Sequence, residues 1–201
     1  NSSVPQFCYE ILDPQFPMVF TDNEMINIIK INATLVLKYT FRHGPKQLLQ
    51  KFIEEQIDIS LLSLYIDPSY PQVTTNILSV IGYILHSSEN AVFEAIECDL
   101  FNKIFQLYDD AEFGVKSMIF HVITAGIINS VSSDATSIFL KTDIIDILVD
   151  GIDTNISDSK DDIPKALNIL AQCASSNGNE IYYMILPFID EFNNFGVNDR
   201  L

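Results

Sequence analysis

Four stretches of this chain repeat one pattern. Ile53–Tyr65, Ile96–Tyr108, Leu140–Ile152 and Met184–Gly196 align at offsets of 43, 44 and 44 residues. The first apolar anchor falls at Ile53, Ile96, Leu140 and Met184. The second falls at Ile57, Leu100, Ile144 and Phe188, and the third at Leu61, Ile104, Leu148 and Phe192. The column before the second anchor holds Gln56, Asp99, Asp143 and Pro187. Asp caps helix starts, and Pro suits a first helical turn. Each copy therefore predicts the end of one helix, a sharp corner and a new short helix. A self-similar period in the forties is the signature of a helical solenoid, whose units bury their apolar faces on one another.

Between the copies the local signals are helical. Thr21-Asp22-Asn23-Glu24 is a capping box, and it predicts a helix over about 22–42. His43-Gly44-Pro45 ends that helix, and a short one follows over 45–54. A second unit has a short helix over 57–66, a turn at Asp67–Pro71, a long helix over 72–86 and a short one over 89–97. A third repeats the order over 100–108, 112–129 and 134–140. A fourth has 144–152, a loop over Asp153–Asp162, a long helix over 163–175 and a last small helix up to Leu186. Pro187 is expected to open a further unit. The expected division is a capping segment over 1–20, partly extended, then units of about 21–56, 57–99, 100–143 and 144–187, with a partial unit over 188–201. The first residue is Asn1 rather than Met, which suits a processed chain or a fragment.

Short, long, short helices at this period resemble the armadillo repeat, whose long helix carries an Ala-x-x-x-Leu-x-x-Ile type core. Matching positions are Ile77, Ile81 and Ile84, then Ile119, Ile123 and Gly126, then Ala166, Leu170 and Cys173. The resemblance covers about residues 22–195 and implies an all-α, right-handed α-solenoid of about four three-helix repeats. It also implies that the long helices line a concave groove. In peptide-binding members that groove presents Trp and Asn. By position the Trp sites are Ser79, His121 and Asn168, and the Asn sites are Tyr83, Ala125 and Gln172. The chain contains no Trp and no Asn ladder, unlike the peptide clamp of nuclear import. The groove candidates are Tyr83, His121, Asn168 and Gln172.

Charge narrows the partners. The net charge is −16, with 6 acids and 5 bases in residues 1–56 against 21 acids and 6 bases in 57–201. A phosphate backbone is repelled by that second part, so nucleic acid is not expected as a ligand. A basic protein segment is attracted. Asp146, Asp150 and Asp153 fall at helical spacing and form an acidic face. The acidic run does not fit a calcium loop: counted from Asp153, the sixth position is Asp158 instead of Gly, and no Glu follows at the twelfth. Lys30, Lys38, Arg42, Lys46 and Lys51 make the N-terminal helices locally basic.

Other chemistry is sparse. His43 and His86 lie 43 residues apart at equivalent helix ends, a spacing that the repeat explains. Cys8, Cys98 and Cys173 have no metal or redox spacing and are expected as small buried hydrophobes in a reducing compartment. The uncharged run Ser117–Ser133 is too polar for a membrane span and is expected as core. No secretory pattern occurs over residues 1–20. No phosphate loop, nucleophile elbow or zinc motif is found, so no metal, no cofactor and no small-molecule ligand is expected. The expected function is a non-enzymatic cytoplasmic or nuclear scaffold that binds another protein or an extended peptide along its concave face. The alternative is a regulatory subunit of a kinase or phosphatase, bound through the acidic face.

Overall fold

The computed structural model describes residues 4–13, 23–130, 132–153, 162–176 and 180–198. Among them every regular element is a helix. The order is α1 (Val4–Glu10), α2 (Asn23–His43), α3 (Lys46–Gln56), α4 (Ile59–Ser63), α5 (Pro71–Ser87), α6 (Glu89–Glu97), α7 (Leu100–Tyr108), α8 (Phe113–Ile128), α9 (Ser133–Ser137), α10 (Thr142–Asp153), α11 (Asp162–Ser176) and α12 (Ile181–Asn198). The chain is all-α as expected. No helix in the described residues is long and apolar enough to cross a membrane.

The long helices form a row. α2 packs on α5, α5 on α8, α8 on α11, and α11 on α12. Short helices fill the other side: α6 rests on α4, α5 and α7, while α7 and α10 rest on α8. The core runs through the middle of this row. Seven consecutive residues of α5, from Asn76 to Gly82, are buried, as are six of α8, from Val122 to Ile127. Such runs cover every face of a helix, so α5 and α8 are enclosed over these turns. The stretch Ser117–Ser133 is thus core where it is described.

Three close approaches set the packing. A Cβ on Gly151 of α10 would lie 2.0 Å from the ring of Phe120 on α8. A Cβ on Gly126 would lie 2.7 Å from Phe101 on α7, and Phe101 meets Phe139 edge to face at 4.7 Å. A Cβ on Gly82 would lie 2.3 Å from the His121 ring. Only a residue without a side chain admits a neighbour's ring so near its backbone.

The corners differ from the expected column. Leu100 and Ile144 are fully buried at the starts of α7 and α10. At the start of α4 that place belongs to Ile59, while Ile57 is half-buried just after α3. The reason is the cap. Asp58, not Gln56, starts α4, its side chain accepting from the Leu61 N–H at 3.1 Å, and Gln56 is still inside α3. Asp99 caps through no side-chain bond. It takes a left-handed conformation, φ 58°, and turns the chain from α6 into α7. Asp143 lies inside the first turn of α10.

The fourth corner does not form. α12 runs through Pro187, and Phe188 is half-buried in mid-helix. Proline removes the bond to the carbonyl four residues back. That carbonyl belongs to Tyr183, which is 74% exposed, so water can replace the lost partner. Pro187 therefore opens no new unit. The side chain of Phe192, the capping residues Thr21 and Asp22 and most of the loop Asp153–Asp162 lie outside the described residues.

The N-terminal segment is helical over α1 rather than extended. It buries Cys8, Tyr9 and Leu12. Two tyrosines tie it to the residues around α4. The Asp58 N–H donates to Tyr9 Oη at 2.8 Å, and Tyr65 Oη donates to the Leu12 carbonyl. Burial pushes the Tyr9 phenol up to about 12. The remaining α4 start is held from α6, where Glu94 accepts the Ile59 N–H at 2.7 Å.

Candidate functional site

Two surfaces gather the residues singled out above. The first is the outer face of α5, α8 and α11. Tyr83 and His121 meet there edge to face, with ring centroids 5.7 Å apart. Both are half-buried. Asn168 and Gln172 are exposed one turn apart on α11. The structure brings the first two into contact and leaves the other two on a separate helix. The two intervening groove positions are closed: Ser79 is 4% exposed and Ala125 is 0% exposed. The face is therefore interrupted rather than an open trough.

The second surface is a cleft of ≈ 560 Å³ between α7, the first turns of α8, and α10. Its floor is Phe105, Tyr108 and Ile147, and its rim holds Asp109, Asp143, Asp146 and Asp150. Asp109 directly follows α7, and the other three lie on α10. α7 and α10 each bury one apolar stripe on α8, which leaves Asp109, Asp143, Asp146 and Asp150 turned outward and exposed. Asp150 is fixed by the Tyr108 hydroxyl, which donates to Oδ2 at 2.6 Å. Burial, and then this carboxylate, push the Tyr108 phenol upward, so it stays a donor. Among the described residues the single cation on the lining is Lys116, whose ammonium sits over the Tyr108 ring, 4.9 Å from its centroid. Cations favour such ring faces electrostatically. Asp153, expected as part of this face, closes α10, but its side chain lies outside the described residues.

A smaller hollow of ≈ 170 Å³ lies beside it, lined by Ile96, Asp99, Asn102, Phe105 and Lys141. Lys141 donates to Asn102 there at 3.0 Å and covers Phe105.

Sequence reasoning missed the Tyr108–Asp150 bond, which joins residues of different units and has no local signal. It also missed what surrounds His86. His43 and His86 do sit at equivalent helix ends. His43 is exposed and stacks on Tyr39 at 6.2 Å. His86 instead packs on His121 at 5.1 Å and approaches Asp162 at 4.0 Å.

Cys8 and Cys173 are buried, Cys98 is half-buried, and none of the three is in a disulfide. Burial raises the thiols of Cys8 and Cys98, which disfavours the reactive thiolate. Among the described residues, no group of three His, Cys, Asp or Glu side chains converges on one point. No protein-family model, curated protein or solved structure matches the chain.

Proposed function

We propose that this chain is a non-enzymatic helical-repeat scaffold that holds a basic segment of another protein in the cleft between α7 and α10. The architecture proposed is an armadillo-like, right-handed solenoid of three-helix units. The neighbour-on-neighbour row of α2, α5, α8 and α11 supports it. The observation that carries the functional reading is the cleft's composition: four exposed aspartates around an aromatic and aliphatic floor. An ammonium or guanidinium entering it exchanges water for carboxylates and a ring face. The chain's own Lys116 on Tyr108 is an internal instance of that contact.

The test is fluorescence anisotropy with a labelled lysine-rich peptide at low and high salt. Asp143→Asn/Asp146→Asn is expected to weaken binding about tenfold, as loss of two rim charges implies at low salt. Glu54→Gln/Glu55→Gln removes the same charge from exposed positions on α3 and is expected to change little. Equal weakening by both pairs would mean that only net charge attracts the peptide, and the site would be lost.

A second reading places an extended peptide on the long-helix face, favoured by the exposure of Asn168 and Gln172 on successive turns. It predicts that Tyr83→Ala/Gln172→Ala weakens a true ligand while the aspartate pair does not.

A further inference from the structure

The two ends of the helical row carry apolar faces that the row itself leaves open. On α2 the exposed positions from Met25 to Tyr39 are Met25, Ile28, Asn32, Val36 and Tyr39. Their spacings of three, four, four and three put them on one face. Asn32 donates its amide to the Ile28 carbonyl of its own helix at 2.8 Å, and no exposed charged residue interrupts the stripe. α1 also packs on α2 and leaves this stripe open. On α12, Tyr183, Met184 and Pro187 are exposed on neighbouring turns, while Ile185 between them is buried. Single exposed apolar residues are ordinary, whereas a contiguous stripe marks a surface that another body covers.

Charge selects what covers these faces. α2 holds one acid and three bases, net +2. α12 holds two acids and no base, net −2, and it packs beside α10 with its four acids. Setting α2 on α2 brings like charges together, as does setting α12 on α12. Only α2 against α12 joins unlike faces. We propose that the α12 face of one copy docks on the α2 face of the next, which carries the row of helices from chain to chain. Each copy is strongly acidic as a whole. At about 0.15 M salt, however, charges more than about 8 Å apart are largely screened, so the faces in contact decide. The inference does not depend on what the cleft between α7 and α10 binds.

Two consequences follow from the geometry. The contact uses a different patch on each side, so pairing two copies leaves one open face of each kind, and further copies can add in series. The contact is also small. The 21 residues of α2 make about 30 Å of helix, and a stripe about 10 Å wide covers about 300 Å² per copy. Stable complexes bury about 800 Å² per partner, so the association is weak, with a Kd of about 0.1 mM.

The experiment is sedimentation equilibrium of the whole chain from about 0.02 to about 0.5 mM, which brackets that Kd. The average mass of the wild type is expected to rise past that of a dimer. Two variants then separate the faces: Ile28→Ser/Tyr39→Ser on α2, and Tyr183→Ser/Met184→Ser on α12. All four residues are exposed, so the fold does not rest on them. Each variant alone is expected to associate at least about tenfold more weakly, because each has lost one of the two faces that every contact needs. An equimolar mixture is expected to form dimers and stop there, since each variant supplies the face that the other lacks. A wild type that stays monomeric throughout the range would overturn the proposal. So would a Tyr183→Ser/Met184→Ser variant that associates as well as the wild type, which would mean α2 on α2, or a mixture that stays monomeric.

Discussion

The middle of the helical row and its ends are built from similar residues but differ in what covers them. On α5 and α8 almost every face meets another helix, and Leu78, Ile81, Leu85, Phe120 and Ile123 are fully buried. On α2, Met25, Ile28, Val36 and Tyr39 are 37–55% exposed. On α12, Tyr183 and Met184 are 74% and 40% exposed. An interior helix here has neighbours on both sides, whereas α2 and α12 stand at the two ends of the row. Leu37 and Ile185 are buried even on these end helices, but the exposed apolar residues beside them contribute little. In this row of helices, burial comes from the interfaces between helices more than from any one helix.

Substitutions can break or sharpen that contrast. The largest effect is expected at Phe120, fully buried and pressed on Gly151. Phe120→Ala should cost about 3–5 kcal/mol by transfer and cavity terms. Tyr39→Ala, at the exposed end, should stay within about 0.5 kcal/mol. Urea unfolding of both variants checks the pair, and comparable losses would erase the distinction between middle and end.

Next come two glycines of opposite sign. Gly151→Ala drives a methyl into the fully buried Phe120 ring and should destabilise by about 1–3 kcal/mol. Gly114→Ala, whose nearest atom lies 3.9 Å away, should stabilise α8 by up to about 1 kcal/mol. Thermal melts of the two would settle it, since propensity alone predicts that both stabilise.

A cross-unit cap is expected to matter somewhat less. Glu94→Ala strands the Ile59 N–H at the start of α4 and should cost about 1–2 kcal/mol, seen as faster exchange of that amide. Burial raises the Glu94 carboxyl above its ordinary value. Its titration therefore favours folding at low pH, and that contribution fades as pH rises through the raised value. The smallest effect is at Asp99, where φ is 58°. Asp99→Gly should be neutral or stabilising by about 0.5 kcal/mol, and Asp99→Val should be destabilising, because a branched side chain resists that conformation. Denaturant midpoints for the two variants would show the split.

Much of the helix pattern was legible in the sequence, because helix limits depend on nearby residues. The bounds expected for 89–97 and 100–108 coincide with α6 and α7. The period was informative where corners are real, at Leu100 and Ile144. It misled at Ile57, where Asp58 rather than the periodic column starts the helix, and at Pro187, which a long helix absorbs. The acidic stripe of α10 was visible from spacing, but the cleft was not. Phe105 and Tyr108 of its floor lie on α7, and the Tyr108–Asp150 bond spans 42 residues. The long-helix face was open by analogy, yet Ser79 and Ala125 are closed by packing that no local pattern encodes.

The most direct measurement of the proposed role is an amide NMR map of the isotope-labelled chain during titration with a lysine-rich peptide. Shift changes centred on Phe105, Tyr108, Asp143, Asp146 and Asp150, reduced by added salt, are the predicted result. Changes centred on Tyr83, His121, Asn168 and Gln172, or spread evenly over every exposed carboxylate, would contradict it.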